Sequence, residues 1–320
     1  MNDIQLKRQF EALKSALSPV IVFLDDTRVM EIMLNSDGRI WVDEAGTGMR
    51  CTDVLMSPDA AERIIRLLAS NINVEVNEKN PSLSAKLPIW GVRVQASVRP
   101  IVEAPTFALR KPTPIVYPIS DYVANGIMTA SSAEYLKTSI KQKKNLLVGG
   151  GTGSGKTALV NSLLAVVSET KDRLYIVEDN PELRCDADNK IQILTNSYYD
   201  CRHAVMDALR YRPDRIIVGE VRDGTALELL KAWNTGHPGG LATIHANDSR
   251  SMLDRMCQLI EEAILKAPRH LVADAVNICV YITKDSKHKA GRRISEIVEV
   301  RGTDDVSGAW IIKDIINKMP

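Results

Sequence analysis

Long apolar runs, paired cysteines, an excess of one charge and a wealth of aromatic side chains are all missing from this chain, and each absence removes a class of protein. No stretch approaches the roughly 18 apolar residues that a bilayer span needs, so contact with a membrane would have to be peripheral. Near the N-terminus, the apolar stretch Val20 to Leu24 is too short for a signal-peptide core and ends at Asp25-Asp26. The five cysteines, Cys51, Cys185, Cys201, Cys257 and Cys279, form no C-x-x-C pair. That pattern argues against a zinc site or a disulfide framework and for reduced, mostly buried thiols in a cytosolic protein. With 41 Lys and Arg against 40 Asp and Glu, the net charge is +1, which gives no global attraction to nucleic acid or to an anionic membrane. Aromatic residues make up 5% of the chain and only 3 are Phe. Neither a stacking platform nor a basic funnel results, so direct nucleic-acid binding is not expected.

What is present begins with residues 150–157, Gly150-Gly151-Thr152-Gly153-Ser154-Gly155-Lys156-Thr157. They satisfy G-x-x-x-x-G-K-[ST] at every fixed position. An apolar run, Asn145 to Val148, precedes them and a helical pattern, Ala158 to Leu164, follows. Strand, glycine-rich loop and helix in that order make a phosphate cradle: glycine lets the backbone wrap a polyphosphate, and N–H groups converge at a helix N-terminus. Lys156 is placed to reach the β- and γ-phosphates, and the Thr157 hydroxyl to bind Mg²⁺. The loop alone calls for a nucleotide with Mg²⁺ and leaves kinase, GTPase and motor open.

At 320 residues the chain exceeds one average domain. Residues 1–110 read as a smaller α+β N-terminal domain. Helical spacing runs from Ile4 to Leu17, a hairpin is signalled by Glu31–Leu34 and Arg39–Val42 around Asn35-Ser36-Asp37-Gly38, and Ser57-Pro58 starts a helix to about Ser70. Arg93 to Val98 alternates as a strand. Five of the 14 prolines then fall between Pro100 and Pro118, which marks residues 111–119 as a stiff, proline-rich linker. Residues 120–320 alternate strand and helix. Strands are expected at 145–149, 173–178, 190–195, 215–219 and 241–245, and helices at 156–168, 200–210, 224–234 and 249–265, with further strand-like runs after Val276. Near-continuous apolar strands such as Ile216-Ile217-Val218 suit a parallel sheet covered on both faces.

Several of these strands end in chemistry. Ile176-Val177-Glu178-Asp179 and Ile217-Val218-Gly219-Glu220 carry acids at their C-terminal ends, where an open α/β sheet binds its ligand. One acid can hold Mg²⁺ through water and another can orient or deprotonate the attacking water. Thr243-Ile244-His245 ends a third strand with an imidazole able to hydrogen-bond a γ-phosphate. His237, Arg210, Arg212 and Arg222 lie in the same blocks. Arg93, Arg99 and Arg110 lie on or near the segment leading to the linker, and arginines of this kind stabilise charge on a transferring phosphoryl group.

Taken in order, the phosphate loop, Ile176-Val177-Glu178-Asp179-x-x-Glu182-Leu183, the block Leu209 to Arg222 and the block Thr235 to Asn247 resemble the phosphate loop, Asp box, Walker B box and His box of the secretion-superfamily traffic ATPases. Within that superfamily the conjugal-transfer, type IV secretion branch is the best likeness, and it extends over nearly the whole chain. The resemblance implies a RecA-like P-loop NTPase domain behind the smaller N-terminal domain. It also implies a cytoplasmic hexamer at the inner face of the membrane, and ATP hydrolysis driving pilus biogenesis or substrate transfer through inner-membrane channel proteins. By residue it makes Glu178 the group that activates water, Glu220 the Mg²⁺ ligand through water and His245 the γ-phosphate sensor. It matches Arg93 and Arg110 to arginines that reach the nucleotide phosphates, with Asp179, Glu182, Arg210, Arg212, Arg222 and His237 in support. Ala158 stands where the family often has a second Thr, which removes a hydroxyl for the α-phosphate, and Pro181 stiffens the Asp box. A type II secretion or pilus assembly or retraction ATPase is the alternative within the superfamily; the missing C-x-x-C pairs count against the assembly members, which commonly carry a tetracysteine zinc element. A nucleotide-gated scaffold and a nucleic-acid translocase are the rivals outside it.

Overall fold

The computed structural model describes residues 3–44, 47–72, 74–87, 91–112, 116–196, 198–304 and 306–316. By its internal contacts the chain divides into two compact units, Met1–Pro114 and Ile115–Pro320. Within the proline-rich stretch 111–119, residues 113–115 lie outside the described residues.

In the first unit, helices α1 (Asp3–Ala16), α2 (Ile21–Asp25) and α3 (Pro58–Asn71) accompany strands β1 (Val29–Leu34), β2 (Arg39–Glu44), β3 (Gly48–Leu55), β4 (Ser82–Leu87), β5 (Val92–Ser97) and β6 (Thr106–Arg110). The strands form one antiparallel sheet in the order β3-β2-β1-β6-β5-β4. Alternation decides its faces: Ile32 and Leu34, Ile40 and Val42, Val94 and Ala96, Phe107 and Leu109 are buried in one core with Leu13, Leu17, Ile64, Ile65 and Leu68. The β1–β2 turn closes at Gly38, which has φ +80° and whose missing Cβ would stand 2.7 Å from the Met56 carbonyl oxygen. Ser57 caps α3 by accepting from the Ala60 N–H at 3.3 Å, with Pro58 in the first turn. Strand β3 was illegible in the sequence because its residues are mostly exposed at the sheet edge and carry no apolar alternation.

The second unit contains α4 (Ile119–Ala124), α5 (Ala130–Lys141), β7 (Leu146–Gly149), α6 (Lys156–Ser168), β8 (Leu174–Glu178), β9 (Lys190–Leu194), α7 (Cys201–Ala208), β10 (Arg215–Val218), α8 (Thr225–Asn234), β11 (Leu241–Ile244), α9 (Ser249–Glu261), α10 (Arg269–Ala275), β12 (Ile278–Lys284), β13 (Arg292–Thr303) and β14 (Trp310–Ile316). Its sheet runs β14-β13-β12-β7-β11-β10-β8-β9. The strands from β12 to β9 are parallel, and β13 and β14 add antiparallel to one side. Every residue of β7, β8, β10 and β11 is buried, as a parallel sheet with helices on both faces requires. Leu146, Val148, Ile176 and Ile217 face the core shared with α4, α5 and α6, while Leu147, Tyr175, Ile216 and Val218 face that of α7 to α10. Helix α6 is apolar almost all round, and Leu159, Leu163 and Leu164 are fully buried. Each such leucine contributes about 1.5–3 kcal/mol relative to exposure.

The helix expected at 249–265 ends at Glu261. Ile264 and Leu265 keep the helical spacing, but Leu265 is wholly exposed, so another turn would gain no burial. After Pro268 the chain starts α10, which the sequence reading did not anticipate.

Candidate functional site

Strands β7, β11, β10 and β8 lie side by side and parallel, so their C-terminal ends form one edge, and most of the candidate side chains read from the sequence gather there. The glycine-rich loop leaves β7 at Gly149 and enters α6 at Lys156, with Gly155 as N-cap at φ +104°. A side chain at that φ would be strained. Lys156 is only 8% exposed. Its ammonium donates to the carbonyls of Gly150 at 2.8 Å and Gly151 at 3.0 Å, and its Nζ is 3.4 Å from His245 Nδ1.

From there a polar chain crosses the sheet edge. His245 Nε2 is 3.0 Å from Glu220 Oε1. Arg222 donates to Glu220 Oε2 at 2.6 Å and to Asp179 Oδ2 at 3.2 Å. Thr195 donates to Asp179 Oδ1 at 2.6 Å. One imidazole form satisfies both neighbours of His245. A neutral ring with the proton on Nε2 donates to the Glu220 carboxylate and offers its Nδ1 lone pair to the Lys156 ammonium. Burial acts to raise the Glu220 carboxyl, but the Arg222 hydrogen bond and the charges of Arg222 and Lys156 outweigh it and hold the group below its ordinary range. The Arg222 guanidinium is correspondingly raised, first by its hydrogen bond to Glu220.

Glu178 sits at the end of β8, 4% exposed. Its Oε2 accepts from the backbone N–H groups of Glu182 and Leu183, each at 2.9 Å. This pair of bonds fixes the carboxylate against the turn after β8. Gly219 makes room for it: a Cβ there would stand 3.1 Å from Glu178 Cβ. Thr157 donates to Glu182 Oε2 at 3.2 Å, which ties the first turn of α6 to the same Asp-box turn. Asn161, one helical turn on, donates to the Glu182 carbonyl at 3.0 Å and accepts from Arg184 N–H at 2.8 Å. Sequence reasoning missed Asn161; a polar residue within the apolar run after the phosphate loop was its signal.

Lys156, Thr157, Glu178, Asp179, Glu182, Glu220, Arg222 and His245 thus come together. Arg210, Arg212 and His237 do not join them. Arg210 pairs with Asp207 at 2.8 Å on an exposed surface, and Arg212 holds a left-handed turn at φ +53°. Both precede β10, and His237 precedes β11. Each strand of four residues spans roughly 13 Å at 3.3 Å per residue, which puts these side chains at the opposite edge of the sheet. Arg93 and Arg110 belong to the first unit, where they face each other across β5 and β6, with Glu31 opposite Arg110 on β1.

A model of the type II/IV secretion system proteins matches residues 14–306. The chain belongs to the type II/IV secretion system protein family. It is 42% identical to the conjugal transfer protein TrbB of Rhizobium radiobacter, over 88% of this chain and 86% of that protein. It is 40% identical to a probable conjugal transfer protein TrbB of Sinorhizobium fredii, over 92% of this chain and 90% of that one. In fold it is similar to the ATPase DotB of Yersinia pseudotuberculosis, with a TM-score of 0.64, 20% identity and coverage of 90% and 79% of the two chains. The secretion-family fold, with its RecA-like sheet, is therefore this chain's fold. Among the described residues, no helix is long and apolar enough to cross a membrane.

Proposed function

We propose that this secretion-family chain is an ATP-hydrolysing motor subunit that powers conjugal transfer or type IV secretion. The observation that carries the reading is the polar chain Lys156–His245–Glu220–Arg222 at the mouth of a phosphate loop. It joins the group that binds a terminal phosphate to a carboxylate of metal-ligand type.

The residues fit ATP and a divalent ion. Gly153 and Gly155 hold positive φ that side chains would strain, which lets the loop backbone wrap a polyphosphate, and Thr157, Glu182 and Glu220 supply an alcohol and carboxylates, hard oxygen donors, at the same strand edge. A Mg²⁺ held by Thr157 and, through water, by Glu220 would neutralise charge on the β- and γ-phosphates. Lys156 exchanges its loop carbonyls for phosphate oxygens, and Thr157 leaves Glu182. Glu178, fixed by two backbone N–H groups, orients the attacking water and accepts its proton. His245 donates from one ring nitrogen and accepts at the other, so it can answer a change at either Lys156 or Glu220, which suits a γ-phosphate sensor. Asp179 and Arg222 hold Glu220 in place. Arg93 and Arg110 are assigned to phosphate binding by the likeness of their positions to the family's arginines that reach the nucleotide phosphates. The division near residue 114 is assigned as the boundary between two working domains, the subunits as members of a six-membered ring, and the ring's place as the cytoplasmic face of a secretion channel.

The test is the ATPase rate of purified protein beside Glu178→Gln, with particle mass by light scattering in the presence and absence of ATP and Mg²⁺. Turnover abolished by the substitution, on a particle of about six subunits, supports the motor. Nucleotide binding without turnover in the unaltered protein would replace it with a nucleotide-gated scaffold.

A further inference from the structure

The flank of the phosphate loop away from Glu178, Glu220 and His245 carries two cations that the family boxes do not contain. Strand β12 runs parallel to β7 in a register that pairs Tyr281 with Gly149. It continues for three more residues, to Lys284, after β7 has ended. This overhang of roughly 10 Å at 3.3 Å per residue lies along the loop. Lys284 Nζ is 3.0 Å from the point where a Cβ on Gly153 would stand, and Arg292 Nη1 is 2.7 Å from the corresponding point on Gly155. The two cations are also direct cross-strand partners at the turn end of the β12–β13 hairpin.

Like charges placed opposite one another across strands are destabilising. The hairpin acid Asp285 does not relieve the pair, because it bonds Arg293 at 3.2 Å. Neither Lys284 nor Arg292 has a side-chain hydrogen bond or ion pair among the described residues. Ser154, between the two glycines in sequence, is 2% exposed, and its buried hydroxyl has no hydrogen-bond partner among the described residues. Two opposed cations and an unsatisfied buried hydroxyl against a phosphate loop call for an anion.

Sheet order says which part of the anion. The groups that would meet a γ-phosphate stand on β11, β10 and β8, to one side of β7, whereas β12 and β13 stand to the other. We propose that Lys284 and Arg292 form a clamp on the α- and β-phosphates, the portion common to ATP and ADP. The clamp makes up for Ala158, which offers no hydroxyl. The inference rests on the nucleotide-binding reading above.

A contact shared by ATP and ADP is uniform binding: it changes KM and leaves kcat alone. Lys284→Ala and Arg292→Ala are each expected to raise KM for ATP and Kd for ADP by the same factor, about 10-fold for one lost charge-assisted hydrogen bond. Arg292→Lys should recover part of the loss, and adding Ala158→Thr to Arg292→Ala should recover more. His245→Ala serves as the contrast, because it should weaken ATP more than ADP. Lys284 is exposed, so its variant carries the test should Arg292→Ala prove unstable. Unchanged ADP affinity in Lys284→Ala and Arg292→Ala, or a fall in kcat without a change in KM, overturns the clamp. ADP binding by the unaltered protein and its loss in Lys156→Ala separate that outcome from failure of the nucleotide reading, which would show as no ADP binding at all and would take the clamp with it.

Discussion

At the C-terminal edge of the parallel strands, beside the buried Lys156 and Glu178, the polar chain His245–Glu220–Arg222 remains open to solvent: the His245 side chain is 48% exposed and that of Arg222 52%. At the N-terminal edge of the same strands, Arg215 is 1% exposed and is spent in full. It donates to Asp172 at 2.7 Å, to the Gly239 carbonyl at 3.1 Å and to the Ile140 carbonyl at 3.0 Å. Asn145 completes that edge by accepting from the N–H groups of Gly239 and Gly240 and donating to the Ala275 carbonyl. Arg215 and Gly239 lie in the same two blocks of sequence as Glu220, Arg222 and His245. What separates them is whether the partners can be exchanged. A half-exposed ion pair can trade its partner for a phosphate at little loss, since such pairs contribute only about 0–1 kcal/mol. A buried guanidinium has no alternative partner, and removing one side leaves a charge stranded.

The contrast is broken most forcefully by substitutions that should divide along it. Glu178→Gln and Lys156→Ala at the first edge should lower turnover by about 10²- to 10⁴-fold, the range for a positioned acid–base group or a phosphate-binding cation. Folding should be preserved, so a thermal scan that matches the unaltered protein is part of the expected outcome. Arg215→Ala at the second edge should do the reverse. It should destabilise the fold by about 1–3 kcal/mol, read from urea unfolding, because the Gly239 and Ile140 carbonyls lose their buried donor while Asp172 keeps Lys143. A stable, inactive Arg215→Ala would move that residue from the scaffold to the chemistry.

Acid sharpens the same comparison with a smaller effect. Burial acts to raise the Asp172 carboxyl, but hydrogen bonds from Lys143 and Arg215 outweigh it and hold the group below its ordinary value of 3.8. Glu220 is likewise held below its ordinary 4.5. For a carboxyl whose folded pKa is depressed, the stabilisation is present above the unfolded pKa and is lost as pH falls through the folded one. Thermal stability should therefore begin to fall below about pH 4, and Asp172→Asn should flatten that dependence more than Glu220→Gln does. An equal flattening by both variants would mean that the two edges are electrostatically alike.

How much of this was legible in the sequence follows the same line. Glycine spacing and polar strand ends pointed to residues 150–157, Glu178, Glu220 and His245, which the fold gathers at one edge, because those signals are local: each is a motif beside the strand that positions it. Arg215 was read only as the start of a strand, and Asn145 likewise, since the partners that make them buried clamps lie 24 to 132 residues away in the chain. Lys284 and Arg292 were passed over for a similar reason. Their meaning comes from the register of β12 against β7, which no periodicity reveals. In the first unit, β6 was hidden by the prolines around it, although Phe107 and Leu109 do alternate with exposed or half-exposed neighbours.

The smallest expected effect is the one that most directly tests placement by edge. His237 lies in the same His box as His245, eight residues earlier in the chain. Sequence proximity groups the two; the strand between them separates them. If edge decides role, His237→Ala should leave ADP affinity and the KM for ATP within about two-fold, the scale of a substitution away from the site, while His245→Ala shifts ATP affinity well beyond it. The measurement is a pair of nucleotide titrations on both variants under one set of conditions. A His237→Ala protein that is folded yet loses nucleotide affinity would show that the far edge also serves the site, through groups other than the eight gathered at the C-terminal end of this sheet.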